Sequence, residues 1–176
     1  MKLFRTSGRA VLFCLTFLVL CHISSGPLYA EEFISGDKII LGQKEQVRIE
    51  PSGLLLDGRV DTGAAMASLH AENIIRFIRN GEEWVHFNLN PGGADCIMEL
   101  PLFAVVKVRQ ANTVVLQERP IVTLSIRMGE LQMDANFTLT DRSLMSVPLL
   151  IGRNILKDRF LVDVSGEYLL GFVPQD

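Results

Sequence analysis

The stretch LLLDGRVDTGA, residues 54–64, carries an apolar run directly into an Asp-Thr-Gly-Ala sequence that begins at Asp61. Apolar residues followed by small polar ones are typical of a buried strand that ends in a tight loop. Gly63 lets the backbone turn without a Cβ clash. The Thr62 hydroxyl can lock the loop, and Ala64 leaves room for a substrate chain to approach. The stretch therefore predicts a strand that presents the Asp61 carboxylate from a tight loop.

A second apolar stretch, PLLIGRNIL at residues 148–156, follows about ninety residues later. Its Gly152 permits close packing of two backbones beside a strand, and Arg153 opens a short predicted helix. An Asp-Thr-Gly triplet alone occurs by chance in roughly one of thirty chains of this length at average residue frequencies. Both stretches in this order make coincidence a poor explanation.

The composition is that of an ordinary globular protein. The chain has 176 residues, of which 48% are hydrophobic and 21% charged, with a formal net charge of −3. These values exclude a disordered chain, a collagen-like repeat and a coiled coil. No basic surplus is available to neutralise a phosphate backbone, so no nucleic-acid partner is predicted.

The first thirty residues predict a secretory signal. Lys2, Arg5 and Arg9 precede an apolar run over residues 10–20, and the small residue Ala30 stands before two glutamates. The run is shorter than the stretch of about 20 residues that spans a bilayer. We expect cleavage near Ala30 and a periplasmic or secreted protein without stable membrane insertion. An uncleaved N-terminal membrane anchor is the alternative.

Removal of residues 1–30 changes the charge and the cysteine content. It takes away three positive charges and no negative ones, so the net charge of the remaining 146 residues (176 − 30) is −6 (−3 − 3). Residues 31–37 are predicted to be a flexible lead-in and residues 38–176 the folded domain. Cys96 is then the single cysteine, and we expect it to be buried.

The remaining chain predicts an all-β fold. Short apolar or alternating runs recur between Gly, Pro and Asn residues, as in a β-sandwich or closed barrel. Asn80-Gly81 predicts a hairpin turn, and two short helices are predicted at Ala71–Ile78 and Arg153–Asp158. The candidate strands are Lys38–Leu41, Glu45–Glu50, Gly53–Val60, Trp84–Leu89, Glu99–Arg109, Thr113–Gln117, Ile121–Met128, Leu131–Leu139, Leu161–Val164 and Tyr168–Val173.

The chain resembles the retropepsin-like aspartic endopeptidases of bacteria, a family long labelled ATP-dependent zinc proteases. The specific part of the resemblance is the pair of motifs at residues 61–64 and 149–153. Supporting stretches are Ser68–Ala71, Glu118–Pro120, Leu139–Arg142 with Met145, and Leu161–Asp163. The resemblance implies a single-lobed closed barrel of the acid-protease type, with one or two short helices and one catalytic aspartate, Asp61, per chain.

With one such aspartate per chain, the resemblance implies a homodimer whose two Asp61 loops meet at a two-fold axis. Two carboxylates a few ångströms apart cannot both ionise, so they share one proton. The ionised group activates a water molecule that attacks a peptide carbonyl, and the protonated group donates to the carbonyl oxygen. This predicts hydrolysis of a peptide or protein substrate without a cofactor. The residues carried over as support for the Asp61 loop are Thr62, Gly63, Ala64, Gly152 and Arg153.

Neither zinc nor ATP is predicted, in spite of the older family label. The sequence lacks His-Glu-x-x-His and Gly-x-x-x-x-Gly-Lys-[Ser/Thr]. His70, His86 and Cys96 are the histidines and cysteine of residues 31–176, and their scatter along the chain makes a weak zinc site.

Two features depart from the family pattern. Retroviral enzymes have an acidic residue after Asp-Thr-Gly-Ala that can pair with the arginine of Gly-Arg-Asn, whereas this chain has Ala65. We therefore expect Arg153 to pair with Asp141. Bacterial relatives commonly have Thr-Ser or Ser-Ser where this chain has Met66-Ala67.

Three points stay open at the level of sequence. The flap over the substrate is either the Asn80-Gly81 hairpin or the Asn90–Asp95 loop. The barrel is either an enzyme or a non-catalytic module that binds extended peptides by strand addition, and a zinc hydrolase is a weaker alternative. Association of relatives with glutamate-ligase systems brings a polyglutamate-like substrate into consideration, although a net charge of −6 provides no overall attraction for it.

Overall fold

The computed structural model describes residues 38–50, 52–89, 96–109 and 116–173. These residues belong to one compact unit that extends from residue 37 to residue 176. The predicted secretory signal, the lead-in and the Asn90–Asp95 flap candidate lie outside the described residues, so cleavage near Ala30 and the localisation stay predictions. No helix in the described part of the chain is long and apolar enough to cross a membrane.

Strands dominate the described residues, together with one single-turn helix. In chain order the elements are β1 (Ile39–Leu41), β2 (Lys44–Ile49), β3 (Leu54–Val60), β4 (Ala67–His70), β5 (Glu72–Arg79), β6 (Glu82–Leu89), β7 (Cys96–Pro101), β8 (Ala104–Arg109), β9 (Leu116–Met128), β10 (Leu131–Thr140), β11 (Leu149–Ile151), α1 (Arg153–Leu156) and β12 (Phe160–Val162). The all-β prediction and the short helix expected after Gly152 are confirmed.

Six of the strands close into a barrel. Their order around the ring is β10, β4, β11, β3, β2 and β9, and the antiparallel pairing of β9 with β10 closes it. The pairing of β11 with β3 is parallel and sets Leu149–Ile151 beside Gly58–Val60. Barrel closure thus brings together the two stretches that carry the family resemblance. The predicted closed barrel of the retropepsin type is confirmed.

Alternation with a period of two explains the barrel wall. In β9, Leu124, Ile126 and Met128 are at most 1% exposed, whereas the intervening Ser125 and Arg127 are only half-buried. Burial of each apolar side chain of this size contributes about 1.5–3 kcal/mol. The sequence pattern therefore selects which face of the strand points into the barrel.

The helix predicted at Ala71–Ile78 is wrong, because these residues form most of β5. That strand pairs antiparallel with β6, and β6 with β7, in a separate three-stranded sheet. The connection is the predicted Asn80-Gly81 turn, whose φ values of 53° and 84° fit a two-residue hairpin loop. The hairpin register overrides the helix-like spacing of the isoleucines, and Ile75 and Ile78 remain 57% and 64% exposed.

Other boundaries differ where the local pattern is ambiguous. The run predicted as Glu99–Arg109 divides into β7 and β8, and the prediction Ile121–Met128 is part of the longer strand β9. The strand predicted at Tyr168–Val173 is wrong, because this segment turns against the barrel instead. The buried Glu45 carboxylate accepts hydrogen bonds of 3.1 and 3.3 Å from two backbone N–H groups of the segment.

Candidate active site

Asp61 is the first residue after β3, and β3 lies between β2 and β11 in the barrel. Its backbone N–H donates to the Ile151 carbonyl of β11 at 3.0 Å. The N–H groups of Gly63 and Ala64 donate to Asp61 Oδ1 at 3.0 and 3.1 Å. These bonds fix one carboxylate oxygen, while Oδ2 has no hydrogen-bond partner within the described residues.

The rest of the Asp61 loop lies at the surface. Thr62 and Gly63 are exposed, and Ala64 is half-buried. A Cβ on Gly63 would lie 3.2 Å from Asp61 Oδ1, so a larger residue would press on the carboxylate. The Thr62 hydroxyl makes no hydrogen bond to any described residue, so the lock of the loop by this hydroxyl stays a prediction.

Gly152 lies where β11 ends and α1 begins. A Cβ on Gly152 would lie 2.5 Å from the carbonyl carbon of Met66 and 2.7 Å from the backbone nitrogen of Ala67. Its φ of −91° and ψ of 177° are extended values that any residue can adopt. Glycine is therefore needed here for the close approach of two backbones and not for an unusual dihedral angle.

The first residue of α1 holds the outer side of the loop. The Arg153 backbone N–H donates to the Ala64 carbonyl at 2.9 Å. Its Nη1 donates to the carbonyls of Thr62 and Gly63 at 3.1 and 2.6 Å. The guanidinium thus bonds to both exposed peptide groups of the Asp61 loop.

Arg153 does not pair with Asp141, contrary to the sequence prediction. The two loop carbonyls take the place of the acidic partner that is missing at residue 65. Asp141 instead accepts a hydrogen bond of 2.8 Å from the Ser143 backbone N–H. This bond is the main reason that the pKa of Asp141 lies below its ordinary value, and the nearby His70 adds a smaller effect.

Asn154 is a supporting residue that the sequence analysis missed. Its Oδ1 accepts the Ala67 backbone N–H at 2.7 Å, and its Nδ2 donates to the Asn136 carbonyl at 2.9 Å. The side chain therefore ties α1 to the first residue of β4 and to β10. The Gly-Arg-Asn triplet that contains Asn154 was the available signal.

Arg142 is a buried cation close to Asp61. Its side chain is 8% exposed, and burial is the main cause that lowers the pKa of its guanidinium. Repulsion from Arg59 and Arg119 lowers this pKa further, while attraction to Asp61 opposes the shift. None of the three arginines makes a salt bridge to a carboxylate within the described part of the chain. Arg142 therefore has two like-charged neighbours and Asp61 as an attracting carboxylate.

Among the described residues, the hydrogen bonds of Arg119 and Arg142 leave some of their guanidinium N–H groups without an acceptor. Arg142 Nε donates to the Val147 carbonyl at 3.4 Å, and no described group accepts from its Nη atoms. Arg119 donates from Nε and Nη2 to Gln117 Oε1 at 3.1 and 2.9 Å. These three arginines were not predicted as a group from the sequence, because they come from three separate segments of the chain.

Two concave surfaces lie near these residues. A cleft of about 560 Å³, lined among others by Glu72, Glu118 and Asp141, does not include Asp61. A mainly apolar groove of about 350 Å³ touches the Asp61 loop itself. Residues that line this groove include Thr62, Arg153, Leu156, Phe160 and Val162. The smaller groove is the one next to the candidate catalytic carboxylate.

The residues weighed as metal ligands are dispersed. Among residues 38–50, 52–89, 96–109 and 116–173, no group of three His, Cys, Asp or Glu side chains is placed to hold a metal ion. His70 accepts a hydrogen bond from the Arg142 backbone, and His86 lies 3.2 Å from Glu99. Cys96, which we expected to be buried, is half-buried.

The closed six-stranded barrel and the single Asp-Thr-Gly sequence define a protein with the acid-protease fold. A family model described as RimB-like, "Retropepsin-like aspartic endopeptidase RimB", matches residues 40–172. The chain belongs to this RimB-like family of retropepsin-like aspartic endopeptidases, which confirms the resemblance drawn from the sequence.

Relatives in other organisms share most of this chain. Two proteins named "Probable alpha-L-glutamate ligase", from Parasynechococcus marenigrum and Desulfotalea psychrophila, are 34% and 30% identical over 144 and 146 residues. Each alignment covers 79% of this chain but 31% of the relative, so the chain spans about a third of the length of these proteins. A crystal structure of the Legionella pneumophila protein Lpg0085, whose function is unknown, has a similar fold, with a TM-score of 0.67 and 29% sequence identity. The match covers 76% of this chain and 99% of Lpg0085.

Proposed function

We propose that the protein is an aspartic endopeptidase that hydrolyses peptide bonds as a homodimer. The observation that carries the proposal is the Asp61 carboxylate, whose Oδ1 is fixed by two N–H groups while Oδ2 has no partner in the described chain. The sequence contains the Asp-Thr-Gly loop once. A catalytic pair of carboxylates therefore requires two chains.

The chemistry follows from two carboxylates that share one proton. The ionised Asp61 takes a proton from a water molecule, and the water oxygen attacks the carbonyl carbon of the peptide bond. The protonated Asp61 of the other chain donates its proton to the carbonyl oxygen, which gives a neutral tetrahedral diol. The ionised carboxylate then removes a proton from the diol while its partner protonates the leaving nitrogen, and the C–N bond breaks. The pair ends with one proton, as it began, and its need for that proton predicts an acidic optimum.

The neighbours of Asp61 contribute rigidity to this mechanism. The N–H groups of Gly63 and Ala64 orient the carboxylate, and Arg153 fixes the carbonyls on the other side of the same loop. A loop held from both sides costs little reorganisation when the second carboxylate and the substrate arrive.

Apolar surface beside the loop supports the dimer. The groove next to Thr62 is mainly apolar, and Ile40 and Leu161, which pair between β1 and β12, are 53% and 46% exposed. Exposed apolar surface of this kind marks an interaction site. A second copy of the chain that covers it would bring its own Asp61 loop to the first.

Dimer-dependent catalysis predicts that the cleavage rate per chain falls on dilution. The rate would be measured with a library of internally quenched peptides over several decades of chain concentration, alongside sedimentation to follow the monomer fraction. We expect the rate per chain to follow the dimer fraction. A fully active monomer would contradict the proposal, and peptide binding without cleavage at every concentration would favour the non-catalytic peptide-binding alternative.

The arginines near Asp61 support an acidic peptide as substrate. Arg142 is buried, no described residue accepts a hydrogen bond from its Nη atoms, and Arg59 and Arg119 are its like-charged neighbours. Asp61 offsets part of the cost of burying this cation, and a further anion from a substrate would offset more of it. The name glutamate ligase among the relatives points to the same chemistry. The net charge of −6 therefore does not rule out local attraction of an acidic peptide by Arg142.

The substitution Arg142→Gln should lower kcat/KM for a glutamate-rich peptide by about ten- to a hundredfold, because a charge-assisted pair is lost. The same peptide with glutamine in place of glutamate should be affected much less. Loss of a buried cation beside two other cations removes a repulsion, so we expect the fold to persist. Arg159→Gln, at an exposed arginine between α1 and β12, is the matched control, and equal effects of the two variants would contradict the assignment.

A further inference from the structure

His70 connects the end of β4 to the segment that carries Arg142. Its side chain is 11% exposed, and its Nδ1 accepts the Arg142 backbone N–H at 2.8 Å. Its own backbone N–H donates to the Pro148 carbonyl at 2.7 Å, just before β11. Arg142 Nε reaches the Val147 carbonyl in the same segment. The imidazole and the guanidinium thus hold one short stretch of chain from two sides.

Charged groups from two elements face the imidazole. Glu72 of β5 has Oε1 at 3.6 Å from His70 Nε2, and Asp141, after β10, has Oδ1 at 3.6 Å from His70 Nδ1. Arg142 is the cation of the same segment. Both carboxylates can accept a bond from a charged imidazole with a small change in geometry. A charged His70 therefore has partners available, although they differ from the partner of the neutral form.

The hydrogen bond to Arg142 requires the neutral imidazole. A ring nitrogen that accepts a hydrogen bond from an N–H group carries no proton itself. In the neutral ring Nδ1 is therefore the acceptor and Nε2 the donor. A proton on Nδ1 would face the Arg142 N–H, and two donors cannot bond to each other. Protonation thus removes the Arg142 bond and favours a contact between Nδ1 and Asp141.

We propose that His70 is a positioning residue that makes substrate binding pH-dependent: the neutral imidazole holds the Arg142 backbone in place, and the charged imidazole releases it. This inference rests on the proposed role of Arg142 in binding an anionic substrate. Histidine side chains in general change charge between pH 5 and pH 8. Glutamate side chains of a peptide substrate stay ionised over most of that range. Release of Arg142 therefore weakens binding towards pH 5.

Two substitutions separate the hydrogen bond from the charge. The side-chain oxygen of asparagine in His70→Asn can occupy the position of Nδ1 and accept the Arg142 N–H at every pH. In His70→Gln the amide lies near the position of Nε2, so the acceptor is lost at every pH. We would measure kcat and KM with an internally quenched glutamate-rich peptide between pH 5 and pH 8.

For the unsubstituted protein we expect KM to rise about fivefold from pH 8 to pH 5, the effect of one lost hydrogen bond. His70→Asn should keep the low KM throughout, and His70→Gln should show the high KM throughout. The pH profile of kcat, which reports on Asp61, should stay the same in all three proteins. A KM that falls towards pH 5 would mean that the added charge attracts the peptide, and this would overturn the proposal. The proposal would also be overturned if KM depended on pH in His70→Asn as it does in the unsubstituted protein.

A direct binding measurement keeps this test independent of catalysis. Calorimetric titration of the same glutamate-rich peptide gives its affinity at each pH without turnover when Asp61→Asn is present in all three proteins. Absence of cleavage by the unsubstituted protein would count against the peptidase proposal alone, while the titration would still decide the role of His70. Thermal unfolding checks that His70→Gln is folded. If it is not, the pH dependence of peptide affinity in His70→Asn, compared with that of the protein that keeps His70, decides the role of His70.

Discussion

The substitution Asp61→Asn should reduce kcat for peptide cleavage by about 10⁴-fold or more, because neither chain of the dimer then offers a group that can take a proton from water. In the unsubstituted protein the N–H groups of Gly63 and Ala64 donate to Asp61 Oδ1. The side-chain oxygen of asparagine can accept the same two hydrogen bonds. We therefore expect the barrel to remain folded, with a midpoint of thermal unfolding within about 3 °C of the original.

Asp57→Asn is the matched control for this experiment. Asp57 lies on β3, the strand that leads to Asp61. Its Oδ1 accepts a hydrogen bond of 3.1 Å from the Tyr168 hydroxyl, and its Oδ2 is 3.5 Å from Lys44 Nζ. Its replacement should leave cleavage within about twofold of the original, because a partly exposed ion pair contributes little. Full cleavage by pure Asp61→Asn protein would refute the proposed mechanism.

Mixing adds a test of the shared site. When Asp61→Asn protein is added in excess to active protein, chains that exchange form mixed dimers with one carboxylate. One carboxylate cannot act as both acid and base in the same step, so the cleavage rate should fall as mixed dimers accumulate. A rate that stays constant while exchange is observed would contradict a catalytic pair drawn from two chains.

The substitution Gly152→Ala should lower the free energy of unfolding by about 2–4 kcal/mol, because an added Cβ overlaps a packed backbone. Three backbone atoms of Met66 and Ala67 would lie 2.5–2.7 Å from it. Neither side can retreat easily, since β4 and β11 are both strands of the closed barrel. The midpoint of thermal unfolding should fall by about 10 °C. Cleavage should fall too, because the Asp61 loop is bonded to the start of α1.

Gly53→Ala separates this overlap from the general cost of replacing glycine. Gly53 has a φ of 69°, and a Cβ there would meet no atom within 4 Å. Its replacement should cost about 1 kcal/mol through the dihedral angle alone. Gly152 has extended dihedral angles, so its cost comes from packing alone. If denaturant unfolding shows Gly152→Ala to be no more destabilising than Gly53→Ala, the close approach at Gly152 is not needed for stability.

Much of the fold could be read from local patterns. Alternating residues in the segments that form β6 and β8, and the Asn80-Gly81 turn, predicted strands and a hairpin. Such patterns are local, because side-chain direction in a strand and backbone angles in a turn depend on neighbouring residues. The same locality misled at Ala71–Ile78, where the isoleucines are spaced as in a helix but the hairpin pairing with β6 decides the structure. Cross-strand pairing joins residues that are far apart in the sequence, so a short segment of sequence does not reveal the pairing.

By itself the sequence determined the β character of the chain, the Asp61 loop and the segment around Gly152 that accompanies it. Each of these depends on residue types within a few positions of one another. Only the tertiary structure decided that Arg153 bonds to the loop carbonyls and not to Asp141. It also decided that Arg142 interacts with Arg59, Arg119 and Asp61, which are distant in sequence. The physical reason is closure of the barrel: it brings together side chains from separate segments, and electrostatic interaction depends on that distance in space and not on the total charge of the chain.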